Sequence, residues 1–339
     1  MILAAWRDLL WRRKRFAIAI VATALVFSMS LVMSGLSDSF PREINNAVSA
    51  IGGQSYLAAS GEAGPFTSTA IVADDKAPYA APMMFWTAAV RIKASVRQIA
   101  LLGLPAGWRL PLITGRETER NGEVVADKSS GLKVGGRLDL GTNQYSVVGL
   151  MRGRTLFGGQ PLIVLTTEDA QFRLAGGAPI TRAFVERTTP PGPPPAGLTR
   201  FSPAGASADL ARPMRSATSA IAFINVLLWL VAACIIGSVV FLSALERTRD
   251  FAIFKATGVK AWQMGAGLAM QAVILAVLAA LMSIGIAVLI APLFPLPVTI
   301  PAGASATLLV LAIVIGVVAS LAGLRRTATV DPALAFAGR

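Results

Sequence analysis

Residues 12–36 read RRKRFAIAIVATALVFSMSLVMSGL, a block of four basic side chains followed by 21 positions without a charge. About 20 helical residues cross the roughly 30 Å of hydrocarbon in a bilayer, so residues 16–36 are long enough to span it. A basic start and an apolar run also describe a secretory signal. The length of this run, and the lack of a small-x-small cleavage site breaking away from it, favour an uncleaved anchor. Three more runs have the same character, at residues 217–245, 262–294 and 303–324. Bulk composition agrees: 54% of residues are apolar, 14% are charged and the mean hydropathy is +0.63. Soluble domains carry about 25% charged residues. The fold class read from these runs is an α-helical membrane protein with four transmembrane helices and an α+β domain between the first and second.

Orientation follows from the short flanks, because cytoplasmic loops carry the excess of Lys and Arg. Arg7, Arg12, Arg13, Lys14 and Arg15 precede the first run, and Arg325, Arg326 and Arg339 follow the last. Arg247, Arg249, Lys255 and Lys260 lie between the second and third, whereas residues 295–302 have no charge. Both termini and the middle connection are therefore expected in the cytoplasm, and residues 37–216 outside a cytoplasmic (inner) membrane. The expected order is an amphipathic cytoplasmic segment at 1–15, the first span at 16–36, the external domain at 37–216 and the second span at 217–245. A cytoplasmic helix at 246–261 follows, then spans at 262–294 and 303–324 and a cytoplasmic tail at 325–339. The second span is longer than a bilayer requires and is expected to protrude outward as a stalk.

In the external region, Phe40, Ile44 and Val48 keep helical spacing, so a helix should continue out of the first span to Ile51. Runs at 123–126 and 144–150 are β-rich and bounded by glycine turn signals, and 161–165 and 183–185 read as further short strands. The Pro-rich stretch TPPGPPPA at 189–196 excludes a helix and is expected to form a stiff connection toward the stalk. Met83, Met84, Phe85 and Trp86 are four large apolar residues in a row. They suit either the domain core, which is the default, or an exposed external contact patch.

Several chemistries are excluded. The formal charge is +13, but 12 of the 31 Lys and Arg flank apolar runs and the rest are scattered, with no nucleic-acid module among them. There is no His, and the single Cys234 lies in an apolar run, where a buried thiol is expected. Metal and Cys/His chemistry are therefore not expected, and a disulfide within the chain is impossible. No G-x-x-x-x-G-K-[ST] phosphate loop occurs, so the chain cannot bind ATP in that manner. Asn225 and Gln271 are polar at membrane depth and are expected to join helices by hydrogen bonds. Gly316 and Ser320, four apart, fit close helix packing.

The segment after the second span reads ERTRDFAIFKATGV at 246–259. With Phe251, Ile253 and Phe254 beside Arg247, Arg249 and Lys255, it can form an amphipathic helix along the membrane surface, ended by Gly258. It resembles the cytoplasmic signature of the FtsX/MacB family of ABC transporter permeases, E-R-x-x-E-I-G-x-x-R-A-x-G. Glu246, Arg247, Ala256 and Gly258 match in place and Ile253 supplies the Ile two places late, Asp250 takes the acidic place, Lys255 takes the basic one, and Ala252 replaces the usual Gly. The tail ATVDPALAF at 328–336 is similar to the closing D-P-(A/V)-x-A-L motif of the family, through Asp331, Pro332 and Leu334. Thr114 to Arg116, residues 123–125, 131–135 and 147–149 resemble the family's periplasmic domain more loosely.

The resemblance implies a non-catalytic permease subunit of the mechanotransmission type that carries no cofactor. ATP and Mg would sit in a cytoplasmic ABC ATPase dimer docked on Glu246, Arg247, Arg249, Asp250, Phe251, Ile253, Phe254, Lys255, Ala256 and Gly258. A second permease copy, an external adaptor or substrate protein, and the lipid bilayer are the other implied partners; nucleic acid is not. Export is the expected work, because the external domain has the size of the exporters' domain. The alternative is a regulator of an external cell-wall hydrolase that transports nothing. A membrane-bound enzyme finds no supporting motif.

Overall fold

The first apolar run and the amphipathic stretch after it fold as one helix, α1 (Arg13–Ile51), in a computed structural model that describes residues 13–92, 95–248, 251–253, 257, 261–291 and 302–328. The later apolar runs form α4 (Arg215–Glu246), α5 (Ala261–Ile290) and α6 (Ala302–Ala328). Even α6, at 27 residues, reaches about 40 Å at about 1.5 Å per residue, more than the hydrocarbon needs. These four helices are long and apolar enough to cross a membrane. The chain divides into two compact units, one of Met1–Ser37 with Ala217–Arg339 and the other of Asp38–Ser216.

The helical unit buries Phe27, Leu31, Ile236, Val240, Leu268 and Leu275 among a large share of alanines. Small residues let the helices approach closely. A Cβ on Gly316 would lie 2.8 Å from the Val273 Cα, so α5 and α6 touch backbone to backbone there. The outward faces keep Ile18, Phe223, Leu230, Leu289 and Val310 exposed, as lipid-facing side chains should be. Cys234 is among the exposed residues, not in the core as its sequence context suggested. Only one stripe of α4 packs on other helices, and 234 lies off it. Asn225 does join helices: its Oδ1 accepts from Ser30 Oγ at 3.0 Å, and its Nδ2 lies 3.4 Å from Ser34 Oγ. Gln271 is just as buried, but its Nε2 finds no hydrogen-bond partner among the described residues.

The second unit is built on an eleven-stranded mixed sheet. Its strands are β1 (Ser55–Ala59), β3 (Ala81–Ile92), β4 (Ser95–Leu104), β5 (Leu112–Gly115), β6 (Glu123–Asp127), β7 (Arg137–Leu140), β8 (Asn143–Met151), β9 (Thr155–Leu156), β10 (Gln160–Thr166), β12 (Ala183–Glu186) and β13 (Leu198–Phe201). The order is β13-β1-β12-β3-β4-β10-β6-β8-β5, with β7 added on β8 and β9 on β10. A separate ribbon pairs β2 (Val72–Ala73) with β11 (Ile180–Thr181). Two short helices, α2 (Thr167–Ala175) and α3 (Pro203–Leu210), are N-capped by Thr166 and Ser202.

Strand β3 settles the reading of the four large apolar residues. Met83 and Phe85 enter one core, with Ile44, Val48 and Leu102. Met84 enters a second core on the opposite face, with Trp86 packed against it. A central strand buried on both sides needs consecutive apolar residues rather than alternation. The contact-patch reading of Met83, Met84, Phe85 and Trp86 is therefore corrected: they are core. The Pro-rich stretch is corrected too. It links β12 to β13, which flank β1 from either side, and leads to no stalk.

Candidate functional site

In the helical unit the site begins where α4 ends. Glu246, its last residue, accepts a hydrogen bond from Arg15 at 2.9 Å, and the same guanidinium reaches the Val239 carbonyl at 3.4 Å. Both side chains are partly exposed, so the pair contributes only about 0–1 kcal/mol. Its value is positional, since it ties the basic flank of α1 to the first residue of the 246–258 signature. The two residues are 231 positions apart. The only sequence hint was that opposite charges stand at apolar-run ends assigned to the same membrane side.

Beyond Glu246 the helical path resumes. The Phe251 N–H donates to the Arg247 carbonyl at 2.9 Å, residues 251–253 are helical, and Thr257 N–H donates to the Ile253 carbonyl at 3.0 Å. Thr248 turns its hydroxyl back onto the Leu245 carbonyl. Phe251 is 7% exposed and belongs to the helical core, Ala252 is fully buried, and Ile253 is 47% exposed. The signature's apolar side chains thus divide. Phe251 anchors the segment in the bundle while Ile253 faces outward, whereas the sequence reading placed both on one membrane-facing side. Among the described residues of the segment, Phe251 and Ala252 take part in the helix packing. Arg249, Asp250, Phe254, Lys255, Ala256 and Gly258 lie outside the described residues, as do Asp331, Pro332 and Leu334 of the tail.

The sheet unit holds firmly the two segments by which the chain enters and leaves it. On the entering helix, Glu43 accepts from Thr155 Oγ1 at 2.9 Å and from the Gly158 and Gly159 N–H groups at 3.1 and 3.4 Å. The last carbonyls of a helix have no partner within it. Here Trp108 Nε1 donates to the Ile51 carbonyl at 2.8 Å and Tyr56 donates its hydroxyl to that of Val48 at 3.3 Å, while further back in the helix Arg154 reaches the Asn46 carbonyl at 2.9 Å. Burial pushes the Tyr56 phenol up to about 12. Toward the exit, the buried Asp209 accepts from the Phe66 and Thr67 N–H groups at 2.8 and 3.0 Å and from the Thr67 hydroxyl. Arg212 pairs with Asp209 at 3.3 Å and donates to the Ala63 carbonyl at 2.9 Å. None of these anchors was singled out from sequence, because a carboxylate's distant partners leave no local pattern.

The family model described as the FtsX-like permease C-terminal region matches residues 222–332, from within α4 into the tail. An uncharacterized ABC transporter permease of Mycobacterium tuberculosis is 39% identical over all of both chains. One of Mycobacterium bovis is 40% identical, also over all of both chains. Among solved structures, the extracellular domain of the noncanonical ABC-type transporter YknZ from Gram-positive bacteria covers 40% of this chain and 83% of its own. It does so at 12% identity and a TM-score of 0.30.

Proposed function

The chain belongs to the FtsX-like family of ABC transporter permeases, and from that premise we propose that it couples ATP hydrolysis by a separate ATPase to motion of its sheet domain, for export. In this reading residues 246–258 dock the ATPase in the cytoplasm, together with Asp331, Pro332 and Leu334 of the tail. Both termini share that side, and residues 37–216 face outside. Two permease copies pair with two ATPase subunits, which hold the ATP and Mg.

The observation that carries the reading is the way the signature is fastened. Glu246 is tied to α1 by Arg15, and Phe251 and Ala252 are sunk among the helices. A push on this segment cannot be absorbed by the segment alone, because close-packed cores transmit strain. The ATPase then selects one of two helix arrangements by binding it more tightly.

Co-purification from native membranes in mild detergent, followed by mass spectrometry, tests the assignment. A stoichiometric ATPase carrying a phosphate loop is expected. Glu246→Lys and Phe251→Ser should insert normally yet retain less ATPase, or fail to change its rate. Recovery of other membrane complexes without any ATPase would sink the proposal, as would normal coupling in both variants.

A further inference from the structure

The sheet unit has two unlike ends, and the contacts of α1 tell them apart. The chain enters the unit at Asp38 and follows α1 to Ile51. Glu43 holds Thr155, Gly158 and Gly159, immediately before β10 begins. Trp108, just past the end of β4, holds the Ile51 carbonyl. Strands β10 and β4 are parallel, with Leu162 opposite Ala100. Both therefore run in the sense of α1, and the start of β4 points back toward Asp38. Ser95 projects past the level of Gln160 by about 10 Å, at about 3.3 Å per residue. Asp38 precedes Glu43 by about 7.5 Å, at about 1.5 Å per residue, so the tip joining β3 to β4 comes level with the point of entry.

This end is basic. Arg91 and Arg97 are exposed beside the tip, and opposite Arg91 stands Val96, itself 66% exposed. Arg97 donates to the Ser129 carbonyl at 3.3 Å, which brings the turn after β6, with its exposed Lys128, to the same end. Arg152, also exposed, follows β8, whose Met151 pairs with Asp127. The buried carboxylates here are engaged within the fold, Glu43 by the 155–159 loop and Asp127 by Ser129 and Arg154. Of the exposed carboxylates, Asp38 stands at the entry point, and Asp139 on β7 accepts from Gln144 Nε2 at 3.0 Å. The opposite end, where β6 begins and β10 ends, mixes exposed Glu119 and Glu168 with Arg116 and Arg120.

We propose that the entry end of the sheet unit rests on the membrane surface and binds anionic phospholipid headgroups. Arg91, Arg97, Lys128 and Arg152 meet the phosphates, and Val96 enters the headgroup layer. The bilayer is the occupant because the apolar run of α1 ends at residue 36, so headgroups surround the chain where it enters this unit. A basic surface is attracted to an anionic leaflet, and an apolar tip adds burial at the headgroup boundary. A second copy of the same surface would be repelled. The proposal goes beyond the coupling reading and does not depend on it, since it requires only that α1 cross the membrane.

The test labels the full chain at a single cysteine, Val96→Cys or Glu168→Cys in a Cys234→Ser background, with a fluorophore. Quenching by a lipid spin-labelled on its headgroup is then compared in nanodiscs of phosphatidylglycerol and of phosphatidylcholine. In phosphatidylglycerol the label at 96 should be quenched and the label at 168 should not. Changing to phosphatidylcholine, or adding salt to screen the charges, should release the label at 96. Arg91→Glu with Lys128→Glu should lower the ratio of docked to free tips by about tenfold or more, since one cation near an anionic surface counts for about fivefold. The lipid and salt series needs no charge reversal, so it decides the matter if the double variant fails to fold. Equal quenching at 96 and 168, equal quenching at 96 in the two lipids, or an undiminished signal in a folded double variant would each overturn the proposal.

Discussion

The two units dispose of their buried polar groups in opposite ways. In the helical unit, Ser28, Ser283 and Ser320 turn their hydroxyls back onto carbonyls three residues earlier in their own helices. Such bonds satisfy a group without joining anything to anything. Hydrogen bonds that cross between helices, among those described, gather around Asn225, Ser30 and Trp229, with the Arg15–Glu246 pair at the end of the bundle. In the sheet unit, buried carboxylates reach across the fold. Glu43 holds the 155–159 loop, Asp127 holds Ser129 and Arg154, Glu186 holds Ser55 and Arg200, and Asp209 holds the 66–67 turn. Helices that touch through small apolar residues can shift past one another with few directional bonds to break. A domain cross-tied by charge-assisted bonds moves as one body or not at all. The coupling proposed above would need this division, with displacement among the helices and a stiff domain to receive it.

This contrast can be broken by mutation, and the largest effect should come from the sheet unit. Asp209→Ala strands the Phe66 and Thr67 N–H groups without an acceptor, and should cost about 3 kcal/mol in unfolding of the full chain in detergent. A loss no larger than that of an exposed substitution would mean that these cross-ties do not stiffen the domain. Next, Gly316→Leu should cost about 2 kcal/mol by driving α5 and α6 apart, whereas Gly285→Ala, with open space around its Cβ, should be near neutral. Equal thermal shifts in the two would remove close approach as the organising contact of the helices.

Asn225→Leu comes third, at about 1 kcal/mol, since hydrogen bonds between membrane helices contribute modestly. A larger loss would place the helical unit nearer to the cross-tied kind. The smallest effect is an acid response. Arg116 hydrogen-bonds Glu123 at 2.5 Å and holds its carboxyl down at about 2, below the usual 4.5. The folded-state value is depressed, so the pair's contribution is complete above about pH 4.5 and is lost as pH falls from there through 2. Glu123→Gln should flatten stability across that window, as followed by tryptophan fluorescence. An unchanged acid profile would show that this exposed tie adds nothing to the buried ones.

Much of the architecture was legible because the bilayer imposes long apolar runs. The spans, the helical exit to Ile51, and strands β6, β8, β10 and β12 all left local periodicity or turn signals in the chain. What sequence missed depended on distant partners. The residues 83–86 were ambiguous because a strand buried on both faces does not alternate, so β3 showed no period of two. The Pro-rich stretch announced rigidity but not its destination, which the strand order β13-β1-β12 decides. At the candidate site, the motif singled out Glu246, but its tie to Arg15 and the division of Phe251 from Ile253 left no mark in the sequence. Both follow from how the helices meet.

Cys234 has a practical consequence. It is the only thiol in 339 residues, and it sits on the outward side of α4. The unmutated protein therefore carries one address for a membrane-permeable maleimide spin label. In a paired assembly, two such labels would give a single interspin distance, a ruler for α4 separation that can be read with and without nucleotide in native sequence.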